Sequence, residues 1–284
     1  MNIQWYPGHM TKTRRMIAEQ LKNVDAVCEI LDARIPVSSR NPDVDQLTAG
    51  KPRLVVLNRV DQADPEATRR WSAYFRARGY AVLESNAKGG AGTAKFAAAV
   101  RELLADKLRA YAEKGQAGRI IRVMILGIPN VGKSTFINTY AGRACAKTGN
   151  KPGVTKGKQW IRLNKSVELL DTPGILWPKF EDQRVGLSLA LIGSIKDEII
   201  NTEELSLELI KILLKKYPGV LAQRYHVEEV EDALKVLTFI GENRNCRSRG
   251  NELDYGKAAK LLMDEFRGGK LGRITLEEPE EKGV

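Results

Sequence analysis

The sequence predicts an α/β fold, a mostly parallel sheet with helices on both faces, followed by a small all-helical domain. Three observations predict it. Strand, loop and helix signals alternate up to about Phe180, the pattern of parallel strands joined by crossovers. The stretch Gly127-Ile-Pro-Asn-Val-Gly132-Lys133-Ser134 matches G-x-x-x-x-G-K-[ST]. It joins the apolar run Ile120 to Leu126 to Thr135-Phe-Ile-Asn-Thr-Tyr, so a glycine turn connects a strand to a helix, as a phosphate-binding P-loop requires. Beyond Phe180 helical periodicity dominates, at Leu187 to Ile195, Leu205 to Lys216, Val230 to Ile240 and Tyr255 to Phe266. The expected division is 1–180 and 181–284.

Taken in order, Trp5-Tyr-Pro-Gly-His9-Met10 is too rich in Pro and Gly for a helix, whereas Thr11 to Asn23 spaces Met16, Ile17 and Leu21 helically among Lys12, Arg14, Arg15 and Lys22. Ala26 to Leu31 is a strand, and Asp32 to Pro42 a loop entering a short helix. Arg53 to Leu57 is the next strand, ending in Asn58-Arg59-Val60-Asp61. A helix from Pro65 to Arg78, with Pro in its first turn, leads to strand Ala81 to Glu84 and then Ser85-Asn86-Ala87-Lys88. Ala94 to Ala112 reads as one helix. After the P-loop helix a polar Gly/Lys/Thr loop, Lys147 to Lys158, precedes strands Gln159 to Leu163 and Ser166 to Leu170, the latter ending in Asp171-Thr-Pro-Gly174. The tail Glu277-Glu-Pro-Glu-Glu281 is acidic and expected to fray.

A chain of 284 residues can bury a core without disulfides or metals. Its three cysteines, Cys28, Cys145 and Cys246, are widely spaced without a C-x-x-C pair, which fits a reducing compartment and small buried hydrophobes. No apolar run is long enough to span a bilayer and no signal core opens the sequence, so a cytoplasmic protein with no membrane partner is expected, and a monomer. Net charge is +11, and its placement is informative. Between Lys114 and Val167 eleven Lys and Arg face no Asp or Glu, more than a triphosphate needs, so a large polyanion is the expected second partner. The helix with Arg14 and Arg15 and the loop Arg244 to Arg249 are further candidate contacts.

In the P-loop, backbone N–H groups from Asn130 through Val131, Gly132, Lys133, Ser134 and Thr135 can close around a polyphosphate, with Lys133 reaching the β and γ phosphates and Ser134 offering its hydroxyl to Mg²⁺. Asn58-Arg59-Val60-Asp61 follows a strand, where a loop can face a base. The Asp61 carboxylate can accept from guanine N1–H and the exocyclic amine, a donor pair adenine lacks. Asn58 is expected to bind the base edge and brace the P-loop, the Arg59 stem to cover the ring, and N–H groups of Ser85-Asn86-Ala87-Lys88 near Ala87 to face guanine O6. Asp171, through water, is expected at Mg²⁺, and the Gly174 N–H at the γ-phosphate. For the remaining Mg²⁺ hydroxyl Thr155 is the best placed, with Thr148 the rival.

Together these motifs resemble a GTPase of the translation-factor class whose order is rotated, since Asn58 to Lys88 precede Gly127; the arrangement looks like a circularly permuted P-loop GTPase. Within that group Trp5-Tyr-Pro-Gly-His-Met, Leu31-Asp-Ala-Arg-Ile-Pro, Pro152-Gly-Val-Thr, Asp171-Thr-Pro-Gly-Ile-Leu-Trp-Pro and Gly269-Lys-Leu-Gly-Arg-Ile-Thr resemble the ribosome biogenesis GTPase A (RbgA/YlqF) family over nearly the full length. One departure is Arg59, where Lys is usual. The resemblance implies GTP hydrolysis with GTP/GDP and Mg²⁺, a precursor of the large ribosomal subunit and its rRNA as partner in late assembly, and stimulation by that particle. Where Ras-like enzymes orient water with Gln, this chain has Ile175. The resemblance implies His9 as the substitute catalytic group, and Asn130 resembles the asparagine of GTPases that use K⁺. The alternative is a nucleotide-gated RNA-binding module with negligible hydrolysis; a P-loop kinase or ATPase is disfavoured by Asn58 and Asp61.

Overall fold

The computed structural model describes residues 9–90, 95–142, 146, 159–163, 165–177, 180, 182–228 and 230–279. A six-stranded sheet is built from β1 (Ala26–Asp32), β2 (Arg53–Asn58), β3 (Ala81–Ser85), β4 (Ile121–Leu126), β5 (Gln159–Arg162) and β6 (Val167–Asp171). Its order is β3-β2-β1-β4-β6-β5, all pairs parallel except the antiparallel edge pair β5–β6. The register places Asp32 opposite Asn58 and Asn58 opposite Ser85, so three strand ends line up in one row at the carboxyl edge. On the other side of the P-loop strand, Ile125 stands opposite Asp171.

Strands buried on both faces explain the near-continuous Val/Ile/Leu runs of β1, β2 and β4. Leu54 and Val56 point into one apolar cluster, Val55 and Leu57 into another formed with Ala67, Trp71 and Phe75. Those last three belong to α3 (Pro65–Arg76), whose cap Asp64 accepts from the N–H groups of Glu66 and Ala67 at 2.7 and 3.1 Å. The remaining sheet-region helices are α1 (His9–Leu21), α2 (Asp43–Leu47), α4 (Phe96–Leu103), α5 (Ala105–Glu113) and α6 (Lys133–Ala141).

From residue 183 on, the described structure is helical: α7 (Gln183–Leu191), a single 3₁₀ turn Asp197–Ile199, α8 (Thr202–Lys216), α9 (Val220–Tyr225), α10 (Ala233–Asn243) and α11 (Tyr255–Arg267). Helices α8, α10 and α11 pack on one another, and their buried leucines belong to the same apolar cluster as one face of the sheet.

Four local readings are corrected. Helix α1 begins at His9, so His9 and Met10 are helical. The segment read as one helix from Ala94 to Ala112 is two, because the chain turns at Leu104, whose φ and ψ of −104° and 13° leave the helical region. Helix α9 was not anticipated after Pro218-Gly219. The acidic tail does not fray over residues 277 to 279, because half-buried Glu277 is bonded to the sheet region. Cys28 and Cys246 are buried and unpaired with one another, as expected, while Cys145 lies outside the described residues.

Candidate nucleotide site

The P-loop links β4 to α6, and the base-reading loops follow β2 and β3, so all three leave the sheet at the same edge. Asn58 joins them. Its Nδ2 donates to Val131 O at 2.8 Å and its Oδ1 accepts the Ala87 N–H at 3.2 Å, in a position only 2% exposed. The brace expected of Asn58 is present, and one amide hydrogen remains for a base edge. The Ala87 N–H, expected to face guanine O6, is given to Asn58 instead. Lys88 is exposed beside it. Ser85 is buried in the row of strand ends, and Asn86 Oδ1 accepts the Gly89 N–H at 2.9 Å, folding the loop back. Thr139 of α6 donates to Ala87 O at 2.7 Å, a second tie across the site.

Gly132 holds the turn open at φ 96°, a backbone region costly for other residues, and a Cβ there would collide with Asn58 Nδ2. Arg59, also left-handed at φ 64°, reaches Asn130 O at 2.8 Å through Nη2 and lies 3.6 Å from Asp32 through Nε. Its guanidinium thus braces the P-loop as well as offering a stem to a ring. Val60 and Asp61 are half-buried at the turn that follows.

Lys133 is 6% exposed and donates to the carbonyls of Gly127 at 3.1 Å and Ile128 at 2.8 Å. Burial pulls its ammonium down to about 8, with Asp171 opposing that shift. Asp171 is in turn raised by burial and lowered less by Lys133, and its Oδ1 is buried with no hydrogen-bond partner among the described residues. An orphaned carboxylate oxygen at the end of β6, with the Ser134 hydroxyl in the first turn of α6, fits a Mg²⁺ site in which Asp171 holds a metal-bound water. Such an ion supplies charge neutralisation to a triphosphate. Thr155 and Thr148 lie outside the described residues. Gly174 packs so tightly on the P-loop that a Cβ would sit 2.7 Å from Pro129 N, and Ile175 N–H bonds Gly127 O at 3.3 Å. Ile175 and Leu176 are fully buried in the apolar cluster, so neither side chain faces a phosphate. His9 opens α1, and its side chain lies outside what is described.

Sequence reasoning assigned no role to the groups that hold this site from behind. Asp32, 0% exposed, forms a bidentate pair with Arg34 at 2.9 and 2.8 Å. Burial raises the Asp32 carboxyl, but Arg34 and Arg59 together outweigh it and the net shift is downward. Arg34 Nη1 reaches Arg267 O at 3.4 Å, and Arg267 caps the last carbonyls of α7, Ala190 at 2.8 Å and Leu191 at 3.0 Å. Just beyond α7, Gly193 O accepts from Asn130 Nδ2 at 2.5 Å and Ser194 donates to Pro129 O at 2.7 Å. The helical region therefore grips the P-loop backbone directly. The Asp-x-Arg spacing directly after β1 was the one available signal.

The expected basic contacts are partly engaged with the protein itself: Arg14 pairs with Asp43 at 3.2 Å and Arg244 donates to Arg224 O at 2.8 Å. Among the described residues no helix is long and apolar enough to cross a membrane.

A family model described as "50S ribosome-binding GTPase" matches residues 122–239. Ribosome biogenesis GTPase A of Bacillus cereus is 50% identical over 284 residues, covering 100% of this chain and 96% of the relative. The protein of that name from Thermotoga maritima is 32% identical over 279 residues, covering 98% and 95%. The crystal structure of GNP-bound YlqF from T. maritima matches with a TM-score of 0.64 at 28% identity, over 95% of this chain and 99% of that one. A P-loop tied by Asn58 to a guanine-type loop that precedes it in sequence, together with half the residues shared with a full-length relative, means that this chain is a GTPase of the ribosome biogenesis GTPase A family.

Proposed function

We propose that this GTPase acts in late maturation of the large ribosomal subunit, binding rRNA of the precursor particle in a nucleotide-dependent way and hydrolysing GTP faster when docked there. The observation that carries the reading is the Asn58 bridge, which ties a base-reading loop to a P-loop from a separate stretch of the sequence at one edge of the sheet. Asp61 selects guanine, and the P-loop from Asn130 to Thr135, with Lys133 and the Gly174 N–H, takes the phosphates. Ser134 and Asp171 hold Mg²⁺ with a loop hydroxyl, Thr155 in our reading. The ribosomal partner is supported by the names of the relatives and by the acid-free run from Lys114 to Val167.

Ile175 is buried, so water must be oriented by another group, and we assign this to His9 at the start of α1. His9→Ala should abolish the particle-stimulated part of single-turnover hydrolysis and leave GDP affinity intact. Asn130 is the candidate K⁺ ligand, its carboxamide held in place by Gly193 O. Equal turnover in Na⁺ and K⁺ buffers would remove that assignment. Residues 181–284 serve as the ribosome-facing helical domain. Co-sedimentation with large subunits in GDP and in a GTP analogue, at two stated salt concentrations, tests the whole reading; equal binding in both nucleotide states rejects it.

A further inference from the structure

The segment after α11 returns to the sheet region and threads between the loops that leave β1 and β2. Ile274 N–H bonds Gln62 O at 2.9 Å, Leu276 N–H bonds Arg34 O at 2.8 Å, and Thr275, fully buried between them, accepts the Asp64 N–H on its hydroxyl at 3.1 Å. Tyr217, at the end of α8, clamps Thr275 from both sides. Its hydroxyl accepts the Thr275 N–H and donates to the Thr275 carbonyl, both at 2.9 Å. Lys216 holds Leu276 O at 2.6 Å, and the Glu277 carboxylate receives the Val37 and Ser38 N–H groups at 2.8 and 3.2 Å. Gly269 lies so close that a Cβ there would meet Gln62 Cγ at 2.8 Å.

Two of these bonds, to Gln62 and Asp64, are made to residues that directly follow the base-reading loop, while those to Arg34, Val37 and Ser38 fix the strap to the loop after β1. Gln62 follows Asp61 directly, and Asp64 both receives the strap and caps α3. The turn Asn58 to Asp61 is therefore held at its start by the sheet and at its end by residues 274–276. A buried threonine hydroxyl that accepts the Asp64 N–H and donates to Ala33 O at 3.4 Å, on a backbone pinned by a tyrosine hydroxyl, fixes position more than it adds burial. We propose that this C-terminal strap, through Thr275 and Tyr217, positions Asp61 for guanine, so that both residues are positioning residues for base selection. The proposal rests on the reading that Asp61 binds the guanine N1–H and exocyclic amine.

GDP and inosine diphosphate differ only in that exocyclic amine, so the ratio of their affinities measures the placement of Asp61 and is blind to the phosphates. Equilibrium binding of both to the full chain and to Thr275→Val and Tyr217→Phe is the test. Tyr217→Phe loses one hydroxyl and no carbon, and so carries the test whether or not Thr275→Val is soluble. We expect the GDP preference to contract by about fivefold or more in each variant, the scale of one lost hydrogen bond, and Arg70→Ala, at the exposed Arg70–Glu278 pair, to leave it unchanged. An undiminished preference in Tyr217→Phe, even with a lowered melting temperature, overturns the positioning role and leaves Asp61 as the guanine reader. Absence of a GDP preference in the unaltered protein overturns the reading of Asp61 and the strap proposal with it.

Discussion

The two ends of the nucleotide site are built differently. At the base end Asn58, Asn86, Ala87 and Arg59 are bonded to other protein groups, with Asn58 spanning the P-loop and the loop after β3 and Arg59 adding a second bond to the P-loop. At the phosphate end Asp171 Oδ1 is buried without a hydrogen-bond partner among the described residues, and Ile175 and Leu176 have turned into the core. The contrast follows from chain order. Permutation brings the base loops and the P-loop from separate stretches, so they must be tied by side chains. The phosphate end needs fewer internal ties, because its polar groups answer to a polyphosphate, a cation and water. The candidate base-reading loops are thus tied in place by protein bonds, whereas Ile175 and Leu176 offer no side-chain group that could orient water.

The largest effect should come from breaking the base end. Asp61→Asn removes the acceptor pair for guanine and should lower GDP affinity by about 10⁴-fold, while the new amide donor favours xanthosine diphosphate. Equilibrium binding of both nucleotides checks it, and unchanged GDP affinity would place the reader elsewhere. Breaking the phosphate end should have a smaller and separate signature. Asp171→Asn should slow single-turnover GTP hydrolysis about 10²- to 10³-fold with a raised Mg²⁺ requirement, and leave the ratio of GDP to inosine diphosphate affinity intact. A change in that ratio would show that the two ends are not independent.

Ile175→Gln sharpens the comparison further. A glutamine in that fully buried position leaves an amide without partners, so stability should fall by about 2 to 4 kcal/mol in denaturant unfolding. Hydrolysis should not accelerate, because the side chain points into the apolar cluster and not toward phosphate. A faster variant would mean that this segment reopens around the nucleotide.

How much of this was legible in the sequence depended on how local each interaction is. The P-loop and the Asn58 to Asp61 turn were readable because glycine chemistry and strand-to-loop order are contained within a few residues, and the parallel sheet followed from alternation. The break at Leu104 was not, because Leu103, Leu104 and Leu108 keep an apolar rhythm across it. The tail misled for a chemical reason. Clustered glutamates suggest solvation, yet the Glu277 carboxylate accepts two backbone N–H groups that the loop after β1 would otherwise leave unpaired. Arg34 meets its partner Arg267 across 233 residues, a separation to which no periodicity speaks.

The smallest effect expected concerns the proton on Lys133, and it separates the two ends by pH alone. Burial holds this ammonium near 8 against an ordinary value of 10.5, so between those limits the folded protein binds fewer protons than the unfolded chain. Native stability in the absence of nucleotide should therefore rise with pH across that window, and the full cost of the buried charge stands below it. A polyphosphate beside Lys133 favours the ammonium and lifts its pKa again. GDP binding at pH 9 should then take up a proton, and affinity should fall by up to about tenfold per pH unit above 8. Calorimetry in two buffers of different ionisation enthalpy measures that uptake directly. Inosine diphosphate, which carries the same phosphates, should show the same uptake as GDP; a difference between them would assign the proton to the base end and not to Lys133.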